Sequence, residues 1–337
     1  MSVIEFTLPD TQAAAEPREA RGLARDQVRL LVAERGSGAL CHHRMTDLPD
    51  LLRPGDVLVV NTSGTLPAAL PVDGGALWLH LSTRQPDGDW LVELRLPGAN
   101  GKASTPYRDG RVGQRLALPD GGEAVLRAEY SAGRLWRAGI TARRPVPELL
   151  RRYGEPIRYS YVPRRWGLEY YQTVFATSPG SAEMPSAGRP FTDRLVTRLV
   201  SAGVLVLPVL LHTGVASPEA HERPYPEFYR VPEQTLATLR QARAAGGRVI
   251  AVGTTVVRAL ESTVDGPLTG WTDLIVTGER GVSLVDGLLT GFHEPRASHL
   301  DLLAAFADPQ TLSACYAAAL AGGYRWHEFG DMNLLLP

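Results

Sequence analysis

The segment RVIAVGTTVVRALES, residues 248–262, constrains the fold more than any other. Residues 249–252 are an apolar, largely β-branched run, and Gly253-Thr254-Thr255 is a small polar turn. A helical pattern follows and carries Arg258 and Glu261. A buried strand, a tight turn and a helix in that order are the unit of α/β architecture. Such a junction aims the first helix amides, and the positive end of the helix dipole, past the strand end. Thr254 and Thr255 add hydroxyl donors there, and Gly253 admits close approach to the backbone. An ordinary βα junction with a threonine N-cap has the same sequence, so this segment alone leaves both readings open.

Two further apolar runs end the same way. Residues 57–60 stop at Asn61-Thr62-Ser63-Gly64, and residues 204–211 stop at His212-Thr213-Gly214. Ligands gather at the carboxyl ends of strands in open α/β sheets, so the three turns predict one cleft. Helices are predicted over 46–52, 148–152, 191–202, 232–245, 255–262, 297–306 and 311–321, and a further strand over 273–277. Between 71 and 145 the pattern changes to short alternating runs separated by Gly, Pro and Asp. The predicted fold is therefore a mixed-sheet α/β main domain, residues 1–70 and 146–337, with a small antiparallel β-barrel inserted at 71–145.

Composition excludes several classes. A net charge of −1 on 337 residues is not that of a strongly basic nucleic-acid binder, and arginine supplies all the positive charge but Lys102. The two cysteines, Cys41 and Cys315, make neither a disulfide framework nor a CxxC motif, which predicts a reducing, cytoplasmic setting. No secretory signal pattern and no apolar stretch of bilayer length is present, so no membrane role is expected. GxGxxG, GxxxxGK[ST] and GxSxG are all missing, and no His, Cys and Asp set has metal spacing, so no metal is expected.

Three stretches carry candidate chemistry. Residues 170–192 are a loop rich in small residues that leaves backbone amides free for a ligand. In DGLLTGFH, Asp286 and His293 read either as a turn cap with a structural histidine or as an acid/base pair. Residues 143–165 hold seven arginines interleaved with tyrosines, a composition that suits phosphate and base contacts and equally suits a solvated surface.

Seven blocks, taken in order, resemble the S-adenosylmethionine:tRNA ribosyltransferase-isomerase family of queuosine biosynthesis. They are RPGDVLVVNTSGTLPAAL (53–70), YQTVFATSPGS (171–181) with PSAGRPFT (185–192), LHTG (211–214), RVIAVGTTVVRALES (248–262), VDGLLTGFHEP (285–295), SHLDLLAAFA (298–307) and YRWHEFGD (324–331). The resemblance implies transfer of the ribosyl part of S-adenosylmethionine to a 7-aminomethyl-7-deazaguanine in tRNA. The ribose rearranges to an epoxycyclopentane, and adenine and methionine leave. It implies catalytic roles for Asp286, His293 and His212, with either His293 or Asp286 as the base. It implies substrate binding by Tyr171, Gln172, Thr173, Pro185, Ser186, Ala187, Gly188, Gly253, Thr254, Thr255, Arg258, Glu261 and Asp331. Arg258 and Glu261 also fit a structural pair at i,i+3 spacing.

The chain departs from the family pattern at Gly64 and Ala69, where arginine is usual, at Pro190, where histidine is usual, and at Gly291, where asparagine is usual. The segment after LHTG is also short and altered. These losses keep two other readings in play. One is a paralogue that uses S-adenosylmethionine with a small-molecule acceptor. The other is a catalytically decayed nucleotide- or RNA-binding protein.

Overall fold

A computed structural model describes residues 4–131, 133–215, 225–295 and 297–337. The chain lays down β1 (Arg29–Glu34), β2 (Leu40–Arg44), α1 (Leu48–Leu51), β3 (Val57–Asn61) and β4 (Ser63–Thr65). Seven strands follow: β5 (Ala69–Val72), β6 (Leu77–Arg84), β7 (Trp90–Leu96), β8 (Thr105–Pro106), β9 (Arg115–Ala117), β10 (Glu123–Ser131) and β11 (Leu135–Thr141). Then come α2 (Val146–Tyr153), β12 (Ser178–Ser181), α3 (Asp193–Ser201), β13 (Leu205–Leu211), β14 (Glu227–Arg230), α4 (Glu233–Ala244), β15 (Val249–Val252) and α5 (Thr254–Ser262). The chain closes with β16 (Thr269–Thr272), β17 (Gly287–Gly291), α6 (His299–Leu303), α7 (Pro309–Ala321) and β18 (Met332–Leu336).

The main sheet has nine strands in the order β16-β14-β13-β3-β15-β17-β18-β1-β2. At its centre β13, β3, β15 and β17 run parallel. These strands are continuous apolar runs because both faces are covered. Val57, Val59, Val249 and Ala251 pack into one buried cluster with α4, α5, α6 and α7. Leu58, Val60, Ile250 and Val252 pack into another with α1 and α3. Pro208 sits inside β13 without breaking the ladder, since β14 pairs with β13 only at Leu210 and Leu211.

The strands of residues 69–141 form a separate antiparallel sheet with its own core, capped by Leu149 and Leu150 of α2. Its path ends at β5 and β9, which do not pair with each other. The predicted strand over 273–277 is corrected: the strand is β16, and the residues after it are irregular. The Arg258 guanidinium donates to the carbonyls of Thr272 and Leu274, so a side chain takes the place of a partner strand.

Candidate active site

Four adjacent parallel strands end side by side, and each leads into polar residues. In sheet order the turns hold His212, Thr62 and Ser63, Gly253 to Thr255, and His293. Neighbouring strands lie about 4.8 Å apart, so the row spans roughly 14 Å.

Buried hydrogen bonds lace the row. The Asn61 amide donates to the Leu211 carbonyl at 2.8 Å and to Thr255 Oγ1 at 3.2 Å. Its oxygen accepts from the Leu211 and Ser63 amides. One side chain thus ties β3, β13 and the start of α5 together. Ser63 Oγ lies 2.5 Å from Ser181 Oγ and 2.7 Å from His212 Nδ1. Burial, and then Arg230, pull the His212 imidazole down to about 4, so it is neutral near pH 7. Its ring lies flat on Gly180, where an added Cβ would come within 2.3 Å of it.

Gly253 has φ of 95°, a left-handed conformation that L side chains resist. It is itself the N-cap of α5, so the threonine cap of the ordinary-junction reading does not form; Thr255 Oγ1 serves Asn61 instead. The amides of Thr254 and Thr255 open the helix and have no carbonyl one turn back to bond. The turn Ser186–Gly188 covers this point, with Ala187 Cβ 3.2 Å from where a Gly253 Cβ would stand. Residues Pro185 to Gly188 and the Gly253 turn, far apart in sequence, are therefore in contact.

His293 follows β17. Its Nε2 lies 3.2 Å from Thr290 Oγ1, and its ring stacks on His299 at 4.8 Å. Its backbone is pinned by the Tyr316 hydroxyl and by Trp326 Nε1. Burial, and then His299, hold the imidazole well below 6.5. A neutral ring keeps a nitrogen lone pair able to take a proton. Gln172 bonds both the amide and the carbonyl of Thr65, and Tyr171 and Thr173 carry buried hydroxyls without a partner.

The profile of the family described as Queuosine biosynthesis protein matches residues 1–335. The chain belongs to that family. A protein of Moorella thermoacetica named S-adenosylmethionine:tRNA ribosyltransferase-isomerase is 36% identical over 98% of both chains. Its namesake from Thermus thermophilus is 36% identical, covering 100% of this chain and 99% of its own. The crystal structure of S-adenosylmethionine tRNA ribosyltransferase from Thermotoga maritima matches with TM-score 0.56 and 30% identity, over 99% of this chain and all of that one.

This queuosine-family chain brings most of the expected residues to one end of the sheet, with four corrections. Asp286 precedes β17 and accepts from the Val249 amide at the start of β15, while Arg243 pairs with it. It stands at the opposite end of these strands from His293, so no Asp286–His293 pair forms. Arg258 and Glu261 do not pair with each other either. Arg258 binds Glu227, whose other oxygen accepts from Gly214. Glu261 is buried, bonded to the Ser283 and Leu284 amides and to Arg280. Asp331 is at the site end of the sheet, but Arg18, Arg29 and the amides of Arg29 and Arg325 occupy its oxygens. It pins the N-terminal segment in place.

The loop ending in Pro190 carries Arg189, which is 1% exposed, bonded to both Glu19 oxygens and to the Tyr170 carbonyl. Of the altered segment after LHTG, residues 216–224 lie outside the described residues. Sequence reading passed over Glu227, and took Gly180 and Ser181 only as part of the small-residue loop 170–192. A carboxylate in an otherwise aromatic strand, PEFYR, was the signal for the first. Among the described residues no group of three or more His, Cys, Asp and Glu gathers as metal ligands, and no helix is long and apolar enough to cross a membrane.

Proposed function

We propose that this protein is an S-adenosylmethionine:tRNA ribosyltransferase-isomerase acting in queuosine biosynthesis. The observation that carries the reading is the end-to-end family match, with the family's blocks converging on one row of strand ends. S-adenosylmethionine is the co-substrate, and tRNA bearing 7-aminomethyl-7-deazaguanine is the acceptor.

The row suits the chemistry the reaction needs. A sulfonium acidifies the neighbouring C5′ hydrogens, and His293, neutral and held by its backbone, is the base assigned to take one. Adenine leaves as the ribose opens, and it needs a proton in return. The acceptor amine then attacks, and ring closure expels methionine. The helix-opening amides of Thr254 and Thr255 and the Thr254 hydroxyl are assigned to the carboxylate end of S-adenosylmethionine, where a helix N-terminus favours an anion. His212, in its chain with Ser63 and Ser181, is assigned to proton transfer at the other end of the row. Tyr171, Gln172, Thr173 and the 185–188 turn are assigned to closing the site against water.

The reading takes residues 1–70 and 146–337 as the catalytic domain and 71–145 as an inserted β-barrel. Asp73 accepts from the Ala117 amide and so links the two end strands, which favours closure. It places the enzyme in the cytoplasm, in keeping with its two free cysteines.

The test is incubation of the protein with S-adenosylmethionine, with and without the modified tRNA, followed by mass spectrometry of adenine and methionine. Release that requires that tRNA is the expected result. Release without it, or none with it, overturns the reading.

A further inference from the structure

A second feature lies outside the row of strand ends. Between the antiparallel sheet and the 155–171 segment is a cavity of ≈ 130 Å³. A larger hollow of ≈ 400 Å³, at the far end of the main sheet, has no unpartnered buried polar group on its wall. The smaller cavity has two. Trp166 Nε1 and the Tyr171 hydroxyl are both buried and without a partner, and Tyr171 is 3% exposed. Buried polar groups are almost always bonded, so two orphans on residues that line one cavity point to a missing ligand.

The walls are aromatic and the rim is positive. Trp78, Trp166 and Tyr171 supply flat apolar surface. Lys102, Arg158 and Arg165 stand around them, against the single carboxylate of Glu155, which pairs with Arg165. Arg158 donates only to the carbonyls of Gly101, Val162 and Pro163, and the Lys102 ammonium has no partner among the described residues. Neither charge is bonded to a carboxylate, although Glu155 acts on Arg158 through space. Burial, and then repulsion from Arg165, lower the affinity of Arg158 for its proton, a strain that a bound anion relieves. His80 adds no charge, because burial and then Arg95 push it down to about 3. Gly98 is required for this shape: a Cβ there would come within 2.2 Å of the Lys102 carbonyl, so only glycine lets the loop fold back and present Lys102.

A cavity of this size takes one planar ring; an apolar cavity of about 150 Å³ holds benzene. Aromatic walls with a hydrogen-bond donor and a cationic rim match a base with its phosphate. We infer that this cavity captures one unstacked nucleotide of the RNA substrate, its base between Trp78 and Trp166 and its phosphate on Lys102 and Arg158. Bases inside an A-form helix are not open to such a pocket, so the nucleotide belongs to a single-stranded loop. Gln172 clamps Thr65 directly beside Tyr171, which places the captured nucleotide next to the reacting one. The inference rests on the proposed RNA substrate.

Its test is binding of a fluorescently labelled tRNA bearing the 7-aminomethyl-7-deazaguanine to the full chain, read by anisotropy and so independent of turnover. Lys102→Ala, an exposed change, is expected to weaken RNA binding about tenfold and to reduce the slope of log affinity against log salt by about one. Trp78→Ala is expected to weaken it roughly fivefold to a hundredfold, the range for loss of one stacked base. Lys102→Arg is expected to restore most of the binding. RNA affinity unchanged in both Lys102→Ala and Trp78→Ala overturns the inference. So does a rise in the KM for S-adenosylmethionine with RNA binding intact, which would make the cavity the site of the co-substrate. Failure of the wild type to release adenine would count against the proposed function alone, because the binding measurement does not use it.

Discussion

His293 and Asp286 separate chemistry from architecture. His293→Ala removes the assigned base while its backbone keeps the bonds to Tyr316 and Trp326. The expected result is a loss of about 10²–10⁴ in kcat with the melting temperature within a few degrees of wild type. Asp286→Asn weakens the bond to the Val249 amide and the pair with Arg243, so it is expected to lower the melting temperature and leave kcat within a few-fold. Adenine release and thermal melts on both variants check the assignment. The protonation state gives a second handle. Burial holds His293 well below 6.5 in the folded protein. The acid limb of kcat/KM is therefore expected well below pH 6.5, and a limb centred at 6.5 would remove His293 from the role.

Individual elements hold the site through their ends. The β15-to-α5 turn depends on Gly253, with φ of 95° and Ala187 packed above it. Gly253→Ala is expected to cost about 1–3 kcal/mol of backbone strain, read as a lower urea midpoint at unchanged m-value. At the opposite end of the sheet Asp56 joins the starts of β3 and β15 by accepting from Arg53 and from the Arg248 backbone and side chain. Burial works against its charge, but the bonds from Arg248 and from the Arg53 amide together outweigh it and hold the carboxyl below 3.8. A carboxylate depressed in the folded state stabilises above its unfolded value and loses that contribution as pH falls through the folded one. Asp56→Asn is therefore expected to flatten the fall in stability below about pH 4, measured by chemical denaturation from pH 5 to 2.

Across the molecule, four largely enclosed histidines share one behaviour. His80 is drawn down to about 3, His212 and His327 to about 4, and His293 well below 6.5, in each case first by burial. The unfolded chain takes up these protons below 6.5 while the folded one does not, so stability is complete above 6.5 and declines towards pH 4. A melting temperature that falls steadily over that window is expected. His80→Asn, far from the row of strand ends, is expected to shallow the slope.

Local residue pattern was enough to specify the architecture that local chemistry controls. Both-face burial makes the central strands readable as unbroken apolar runs, and the predicted 249–252 strand matches β15 residue for residue. The alternating runs of 71–145 likewise announced an antiparallel sheet. The strand-end turns at Asn61, His212 and Gly253 were legible as neighbours, because parallel strands carry their carboxyl ends to the same side. Which polar residues face each other there was settled by packing between distant segments. Asp286 and His293 are close in sequence, yet β17 lies between them, and an extended strand at about 3.3 Å per residue carries them roughly 20 Å apart. Arg258 turned from Glu261 to Glu227 because β14 places that carboxylate within its reach. The orphaned Tyr171 and Trp166 groups acquire meaning only when the antiparallel sheet sets Trp78 and Lys102 beside them. Periodicity reports which side of an element is buried, whereas the partner across a gap is fixed by packing between segments the sequence holds far apart.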